Sequence, residues 1–255
     1  MANCQWKHKV HTSTAYRYSN EDWSEDENRS VYGLDASTAG VGYNLILEAK
    51  VDSKQISEDE FRKKLYDTSR LIDHKFLNTD VSEFKARPVS LERIALFIRE
   101  KLGIQGVELR LTELGRCSVE TTDSEEMVLT LFDKLNAVHR HWNPDLSADE
   151  NKELYGKCSA IHGHEYNVEV SFIGKLDEKT GLVGQRDELK ALIKEAIVDP
   201  LHGSYLNDHL GNTSGEKIAF QLLERVKKCP MTQQPHRIVV RETRKNSFKV
   251  GASLF

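Results

Sequence analysis

Residues 158–170 read CSAIHGHEYNVEV, and they place a thiol and two imidazoles at the start of a strongly alternating stretch. In a β-strand, residues two apart point to the same side, so His162 and His164 share one face with Tyr166. Two imidazoles on one face can bind the same metal ion. Because catalytic zinc sites usually have three protein ligands, we expect a third from another strand, and His139 is the nearest candidate. The alternative is that both histidines are half-buried strand residues without a metal.

Length and composition exclude several classes of protein. The 255 residues, 38% of them hydrophobic, suffice for one large domain or two ordinary ones. No apolar run approaches the ~20 residues of a membrane helix, and the polar start does not resemble a secretory signal. The net charge of -4 and pI near 6.2 do not favour nucleic acid. Four cysteines without a CxxC pair indicate reduced thiols. We therefore expect a soluble, cytoplasmic protein with no membrane or nucleic-acid partner.

The chain contains an internal repeat, which decides its domain organisation. When Tyr16 is set against His139, the two halves align without a gap for nearly thirty residues at an offset of 123. The second half then carries six extra residues around 174–180, and the offset becomes 129. The matched pairs include Tyr32 with Tyr155, Tyr43 with Tyr166, Asn44 with Asn167 and Asn78 with Asn207.

Each half predicts the same order of elements: strand, strand, helix, helix, strand, strand. The acidic, hydroxyl-rich stretch 120–126 has no apolar period, and we place the domain boundary there. The sequence therefore predicts an α+β protein of two tandem units, residues 1–122 and 127–255, each an antiparallel four-stranded sheet with two helices on one face. The predicted strands include 43–49, 107–111, 166–173 and 237–240, and the predicted helices are 57–71, 90–102, 186–197 and 215–227.

Several motifs in the second half resemble one family, the 6-pyruvoyltetrahydropterin synthases and the 6-carboxytetrahydropterin synthases of queuosine biosynthesis, which share the tunnelling fold, or T-fold. The resemblance covers nearly the whole chain, as two fused copies. The Cys-x3-His-Gly-His spacing is similar to the carboxy type, whereas the nineteen-residue separation of His139 from Cys158 is more like the pyruvoyl type. The product therefore stays open. The matching segments are 137–139, 155–158, 162–166, 180–183 and 242–243.

The resemblance implies a set of site residues in the second unit. Zinc (Zn2+) would be held by three imidazoles and would acidify a substrate hydroxyl, while a nearby thiol would act as the base. A carboxylate would anchor the pterin ring through two parallel hydrogen bonds. The implied metal ligands are His139, His162 and His164, the base is Cys158, and the substrate-binding residues are Glu242, Thr213 and Ser214.

The first half departs from this pattern in a complementary way. Its positions for the zinc histidines hold Tyr16, Ala39 and Val41, and Asp35 replaces the cysteine. It keeps Asp73 and His74, which resemble the catalytic Asp-His pair of the family, whereas the second half has His202 and Gly203 at those positions. Glu113 matches the anchor position of Glu242, but with no histidine cluster in its half we interpret it as vestigial or structural.

The two halves together imply one composite site per chain. Asp73 and His74 of a first unit would serve Cys158 of a second unit, in the same chain or a neighbouring one, within a homo-oligomer of three or two chains. The alternative for Asp73 and His74 is a helix-end pair that caps the preceding helix.

The resemblance implies a zinc-dependent lyase that acts on a small-molecule pterin, 7,8-dihydroneopterin triphosphate, and gives a 6-pyruvoyl or a 6-carboxy product. The alternative is a catalytically degenerate protein that binds zinc and pterin. A zinc hydrolase is disfavoured because the chain lacks an HEXXH motif and its water-activating glutamate.

Overall fold

The computed structural model describes residues 4–85 and 87–252 of the chain. These residues fall into two compact units. The first comprises the residues up to 130 together with 173–187, and the second comprises 131–172 and 188 onward. Both units combine helices with antiparallel strands, so the predicted α+β class is confirmed. The division into two tandem T-fold units at residues 120–126 stays a prediction.

The first unit is built on four strands that neighbour one another in chain order, β1-β2-β3-β4. All three pairings are antiparallel. Along β2, alternate residues from Tyr43 to Val51 are buried, which is the period-two pattern of a sheet with one face in the core. The strands are β1 (Gln5–Tyr16), β2 (Val41–Asp52), β3 (Glu108–Glu113) and β4 (Cys117–Thr121).

The two longest helices of the first unit confirm the predictions for 57–71 and 90–102. Each begins after a serine whose hydroxyl accepts a hydrogen bond from the third helical amide, Ser57 in one case and Ser90 in the other. The second of these helices ends at Gly103, which has a left-handed backbone with φ 59. The helices are α1 (Glu25–Tyr32), α2 (Glu58–Ser69), α3 (Leu77–Asp80) and α4 (Leu91–Leu102).

The second unit has the strand order β5-β6-β7-β8. The prediction for 215–227 is confirmed as one helix, while 186–197 is an α-helix that continues into a π-helical turn, Lys194–Val198. No helix in the described ranges is long and apolar enough to cross a bilayer. The elements that lie wholly or mostly in the second unit are β5 (Glu126–His139), α5 (Ala148–Tyr155), β6 (His162–Lys175), α6 (Arg186–Ile193), α7 (Asp199–Leu201), α8 (Leu206–Leu210), α9 (Gly215–Lys227), β7 (Gln234–Arg241) and β8 (Ser247–Gly251), and the first residues of β5 and α6 and the last residues of β6 belong to the first unit.

The helices α1 and α5 were not predicted, although the sequence carries their start signal. Each opens with a capping box, Ser24 with Glu27 and Ser147 with Glu150. In α5, the buried Asn151 holds the loop that precedes the helix, because its amide donates to the carbonyl of Asn143 at 2.9 Å. This loop and helix set the path of the chain from the end of β5 to the start of β6.

Candidate active site

Three histidine side chains meet in the second unit at the ends of two strands. His139 is the last residue of β5, and His162 and His164 lie at the start of β6. Their candidate ligand nitrogens all lie within 4.8 Å of one another. The structure therefore brings together the three residues that the sequence predicted as metal ligands. Zinc as the metal stays a prediction.

Backbone carbonyls determine which ring nitrogen is free on two of the histidines. Nδ1 of His139 lies 3.2 Å from the carbonyl oxygen of Thr213, and Nδ1 of His162 lies 2.9 Å from that of Ala160. Because a carbonyl oxygen only accepts, each Nδ1 carries the proton, and each Nε2 keeps a free lone pair. Metal-binding histidines are commonly oriented in this way.

The Nε2 atom of His139 gives a direct test of whether a metal fits. It is buried and has no hydrogen-bond partner among the described residues. Burial, together with the neighbouring His162, lowers the pKa of His139 to about 4. Burial also lowers the pKa of His164. The His139 ring is therefore neutral near pH 7, and a metal cation bound here would satisfy its unpaired lone pair, which is shielded from water.

Glu242 follows β7 directly and faces the histidines with one carboxylate oxygen. Oε1 lies 3.4 Å from Nε2 of His139 and 3.7 Å from Nε2 of His164. Oε2 accepts a hydrogen bond from the side chain of Asn246 at 3.2 Å. The same two residues close a turn, since the amide of Glu242 donates to the carbonyl of Asn246 at 3.1 Å. The role of Glu242 as substrate anchor stays a prediction.

Tyr166 lies next to the histidines on the same face of β6. Its ring centroid is 5.5 Å from that of His164 and 6.0 Å from that of His139. The hydroxyl is buried and has no hydrogen-bond partner in the part of the chain that the structure describes. Burial raises the pKa of this phenol well above its usual range. The sequence placed Tyr166 on this face but did not identify it as a protonated, unused donor beside the site.

Thr213 and Ser214 precede α9, and the structure gives Thr213 a role that the sequence did not predict. The Thr213 carbonyl orients His139, and its hydroxyl donates to the carbonyl of Arg140 at 2.9 Å. Thr213 is therefore a positioning residue for a candidate metal ligand. Ser214 is the N-cap of α9, but its side chain makes no capping hydrogen bond. Their contacts with substrate stay predictions.

Cys158 lies in the 3-10 turn Gly156–Ser159 that connects α5 to β6. It is a free, half-buried cysteine. Its carbonyl accepts a hydrogen bond from the amide of His141 at 2.8 Å, which ties the turn to the segment after β5. Among the described residues, the thiol is not one of the converging ligand atoms. Its role as a base stays a prediction. His141, whose ring centroid is 5.6 Å from that of His139, was not predicted as part of the site.

In the first unit, Asp73 and His74 form a hydrogen-bonded pair. Oδ2 of Asp73 lies 2.9 Å from Nδ1 of His74, and Oδ1 accepts from the Thr12 hydroxyl at 2.7 Å and the Ser13 amide at 3.0 Å. The Thr12 and Ser13 hydrogen bonds and then His74 lower the pKa of Asp73 to about 2. The carboxylate thus contacts β1 and does not cap α2. The His74 side chain is 81% exposed on a left-handed backbone with φ 53.

Comparison with known proteins identifies relatives over the second half of the chain. The family model described as 6-pyruvoyl tetrahydropterin synthase matches residues 128–252. The 6-pyruvoyl tetrahydrobiopterin synthase of Poecilia reticulata is 36% identical over 127 residues, 46% of this chain and 85% of the relative. The protein of the same name from Homo sapiens is 32% identical over 120 residues, 44% of this chain and 81% of the relative.

Two further similarities are a relative that matches over a shorter range and a solved structure with a TM-score below 0.5. A 6-carboxy-5,6,7,8-tetrahydropterin synthase of Haemophilus influenzae is 34% identical over 56 residues, 21% of this chain and 40% of the relative. The solved structure of Caenorhabditis elegans 6-pyruvoyl tetrahydropterin synthase is 28% identical with a TM-score of 0.47, and the match covers 50% of this chain and 96% of that one.

The chain belongs to the 6-pyruvoyl tetrahydropterin synthase family. The prediction that it is a lyase of this family is thereby confirmed. The matched range contains all three histidines, Cys158 and Glu242. Because this range begins at residue 128, the interpretation of the first half as a second copy stays a prediction.

Proposed function

We propose that the second unit is a zinc-dependent lyase site that acts on 7,8-dihydroneopterin triphosphate. The observation that carries the proposal is the buried, unpartnered Nε2 of His139, which lies within 4.8 Å of the candidate ligand nitrogens of His162 and His164. Three neutral imidazoles with one position left for substrate are typical of catalytic zinc.

Different residues of the second unit would bind the metal and the substrate. The three histidines would hold zinc, which supplies positive charge that acidifies a substrate hydroxyl. The carbonyls of Ala160 and Thr213 keep two of the rings in the tautomer that presents Nε2. Glu242 would accept two parallel hydrogen bonds from the amino-pyrimidinone edge of the pterin. Its 3.4 Å approach to His139 supports this, because it brings the substrate ring next to the metal.

Two groups are proposed to move protons. Cys158 is a free thiol on the turn next to the metal ligands, and it would take a proton from carbon as thiolate. Asp73 fixes the proton on Nδ1 of His74, so Nε2 of the exposed ring is free to accept or donate one. The left-handed backbone at His74 supports a functional role, because a side chain with Cβ is uncommon there and such residues cluster at active sites.

The pair and the thiol belong to different units, and we propose that they meet in an assembly. A closed homo-oligomer of three or two chains would bring Asp73 and His74 of a first unit to Cys158 of a second unit. The exposure of His74 supports this, since the ring is available to a partner. Exchange of chains between two inactive variants decides whether one chain supplies both groups.

The relatives favour the 6-pyruvoyl product. The two proteins named for that product match this chain over 127 and 120 residues, whereas the one named for the 6-carboxy product matches over 56. The second candidate is the 6-carboxy product, which the Cys-x3-His-Gly-His spacing at residues 158–164 favours.

Incubation of the purified chain with 7,8-dihydroneopterin triphosphate, with and without added zinc, tests the proposal. Mass spectrometry of the pterin distinguishes the 6-pyruvoyl from the 6-carboxy product. We expect turnover that is lost on chelation and restored by zinc. A protein that binds zinc and the pterin but converts none of it would instead be the degenerate binding protein.

A further inference from the structure

The first unit contains a buried polar cluster centred on Glu113. This residue ends β3 and is 1% exposed. Its carboxylate accepts hydrogen bonds from four side chains, so no oxygen of it is left for a ligand. The donors are the Tyr16 hydroxyl, the Tyr18 hydroxyl at 2.9 Å, the Cys117 thiol at 3.2 Å and the Arg186 guanidinium at 3.4 Å.

The same positions in the second unit are arranged differently. By the offsets of the repeat, Glu113 corresponds to Glu242, and Tyr16 corresponds to His139. In both units the residues at these two positions are in contact. The Tyr16 hydroxyl donates to the Glu113 carboxylate in the first unit, and Nε2 of His139 lies 3.4 Å from Oε1 of Glu242 in the second. Glu242 has one oxygen bonded to Asn246 and the other directed at the imidazoles. In the first unit, by contrast, both oxygens of the corresponding carboxylate accept side-chain hydrogen bonds.

Arg186 contacts two buried carboxylates at once. One terminal nitrogen lies 3.0 Å from Glu92 and the other 3.4 Å from Glu113. The guanidinium also lies over the Tyr18 ring, with its carbon 4.7 Å from the centroid. A guanidinium presents its N–H groups in a fixed planar fork, which is the donor pattern of an amidine edge.

The segment that carries Arg186 is held firmly within the first unit. The carbonyl of Gly181 accepts from the Ser90 hydroxyl at 2.5 Å, and that of Thr180 accepts from the Tyr32 hydroxyl at 2.7 Å. Gly181 has φ +72, and a Cβ there would lie 3.2 Å from the ring of Pro88. These hydrogen bonds and the close contact fix the backbone at residues 180 and 181, a few residues before Arg186.

We infer that Arg186 acts as a built-in ligand of the first unit: it occupies a pocket that, once this side chain is removed, binds a small amidine such as a guanidinium ion or 2-aminopyrimidin-4-one. The unmodified first unit accordingly binds no such compound. This inference rests on the contacts of the first unit alone and holds whether or not the second unit is a zinc lyase.

The test is chemical rescue of Arg186→Ala in the full-length protein. Removal of the guanidinium takes the nearest cation from the buried Glu92 and Glu113, although Nε of Arg116 stays 3.9 Å from Glu113, and this should lower the Tm by about 10 °C. Millimolar methylguanidinium should recover at least half of that loss, and methylammonium at the same concentration should not. Arg93→Ala is the matched control, because Arg93 is equally buried but pairs with the exposed Glu178. Its Tm and that of the unmodified protein should not respond to methylguanidinium.

Calorimetry identifies the ligand class. In the Glu242→Gln background, Arg186→Ala should bind one 2-aminopyrimidin-4-one per chain, and the addition of Glu113→Gln should abolish this binding. If Arg186→Ala does not fold, Arg186→Ala with Glu92→Gln removes the charge of one of the two carboxylates that Arg186 contacts, and the same measurements apply to it. A folded variant without rescue by methylguanidinium, or one with an unchanged Tm, would overturn the inference. Binding of the probe to the first unit of the unmodified protein would also overturn it.

Discussion

Oε1 of Glu242 lies 3.4 Å from Nε2 of His139, so the carboxylate proposed to hold the substrate faces the nitrogen proposed to hold the metal. One residue ends β5 and the other follows β7, and the loop from Thr213 orients the first of them through a carbonyl. The two proposed functions are adjacent in space but belong to different side chains, so single substitutions should separate substrate binding from metal binding.

Glu242→Gln should separate the two functions. The amide keeps the size of the side chain but loses the charge, and a hydrogen bond to a charged group contributes about 1.5–3 kcal/mol. We expect zinc content to be unchanged and the affinity for 7,8-dihydroneopterin to fall by about 10- to 100-fold, measured by calorimetry. Glu169→Gln is the control, since Glu169 pairs with Arg241 outside the histidine cluster. Unaltered affinity in Glu242→Gln would exclude Glu242 as the anchor.

His139→Ala should abolish metal binding. It removes a buried Nε2 that has no hydrogen-bond partner among the described residues, and the three imidazoles of the cluster become two. We expect stoichiometric zinc in the unmodified protein and less than a tenth of that amount in the variant, measured by elemental analysis after dialysis. His141→Ala provides the comparison, because that ring lies near the site but outside the converging group, and it should keep its zinc. Absence of zinc from the unmodified protein as well would contradict the proposed metal site.

The metal-free protein should lose stability as the pH falls from about 6.5 to about 4. His139 has a pKa of about 4 in the folded state, and its ordinary value is 6.5. In this window the unfolded chain binds a proton that the folded chain does not, so protonation favours unfolding. Below about 4 both states are protonated and this contribution is constant. Denaturant unfolding of the chelated protein across this range measures the effect, and His139→Phe should weaken the dependence. An NMR titration midpoint of His139 near 6.5 would contradict the expectation.

His74→Gly should be more stable than His74→Ala, and both should be inactive. Both variants lose the imidazole, but alanine keeps a Cβ at a left-handed backbone, which costs about 1 kcal/mol that glycine avoids. The Tm of the glycine variant should therefore be about 2–4 °C higher. Turnover of 7,8-dihydroneopterin triphosphate should fall at least about 100-fold in both, the usual contribution of a proton carrier. Full activity in either variant would remove His74 from the mechanism.

Mixing Cys158→Ala with His74→Ala should restore part of the activity if neighbouring chains share a site. Each variant alone lacks one proton carrier, but a mixed assembly contains intact pairs of units. The mixture is prepared under conditions that exchange chains, and exchange is verified by native mass spectrometry, which should also show three or two chains per assembly. If activity stays absent although exchange has occurred, both groups act within one chain.

The pattern within single elements was predictable from the sequence. The spacing of His162 and His164 specified their common face, because a strand repeats every two residues. The helix α9 followed from apolar residues three and four apart and was predicted at 215–227, as observed. The capping boxes at Ser24 and Ser147 signal two further helices. Each of these helices has only eight residues, which is too short for a clear apolar period.

Contacts between residues far apart in the chain were not predictable in the same way. The carbonyl that orients His139 belongs to Thr213, 74 residues away, and any residue type supplies a carbonyl. Arg186 was predicted only as the start of a helix, and nothing in its local sequence distinguishes a surface arginine from one that binds Glu92 and Glu113. The repeat offsets align Glu113 with Glu242, and the sequence left open whether Glu113 is vestigial or structural, but only the structure shows which side chains contact its carboxylate.

Arg186 also determines when the first unit can be completed during synthesis. Glu92 and Glu113 leave the ribosome well before their cation, since the compact unit needs residues up to 130 and then 173–187. At a translation rate of about 5–20 residues per second, the gap of roughly 60 residues lasts about 3–12 seconds. During that interval the nascent chain lacks the guanidinium that contacts Glu92 and Glu113 in the folded unit. A translational pause or a chaperone contact in this stretch would protect the incomplete unit.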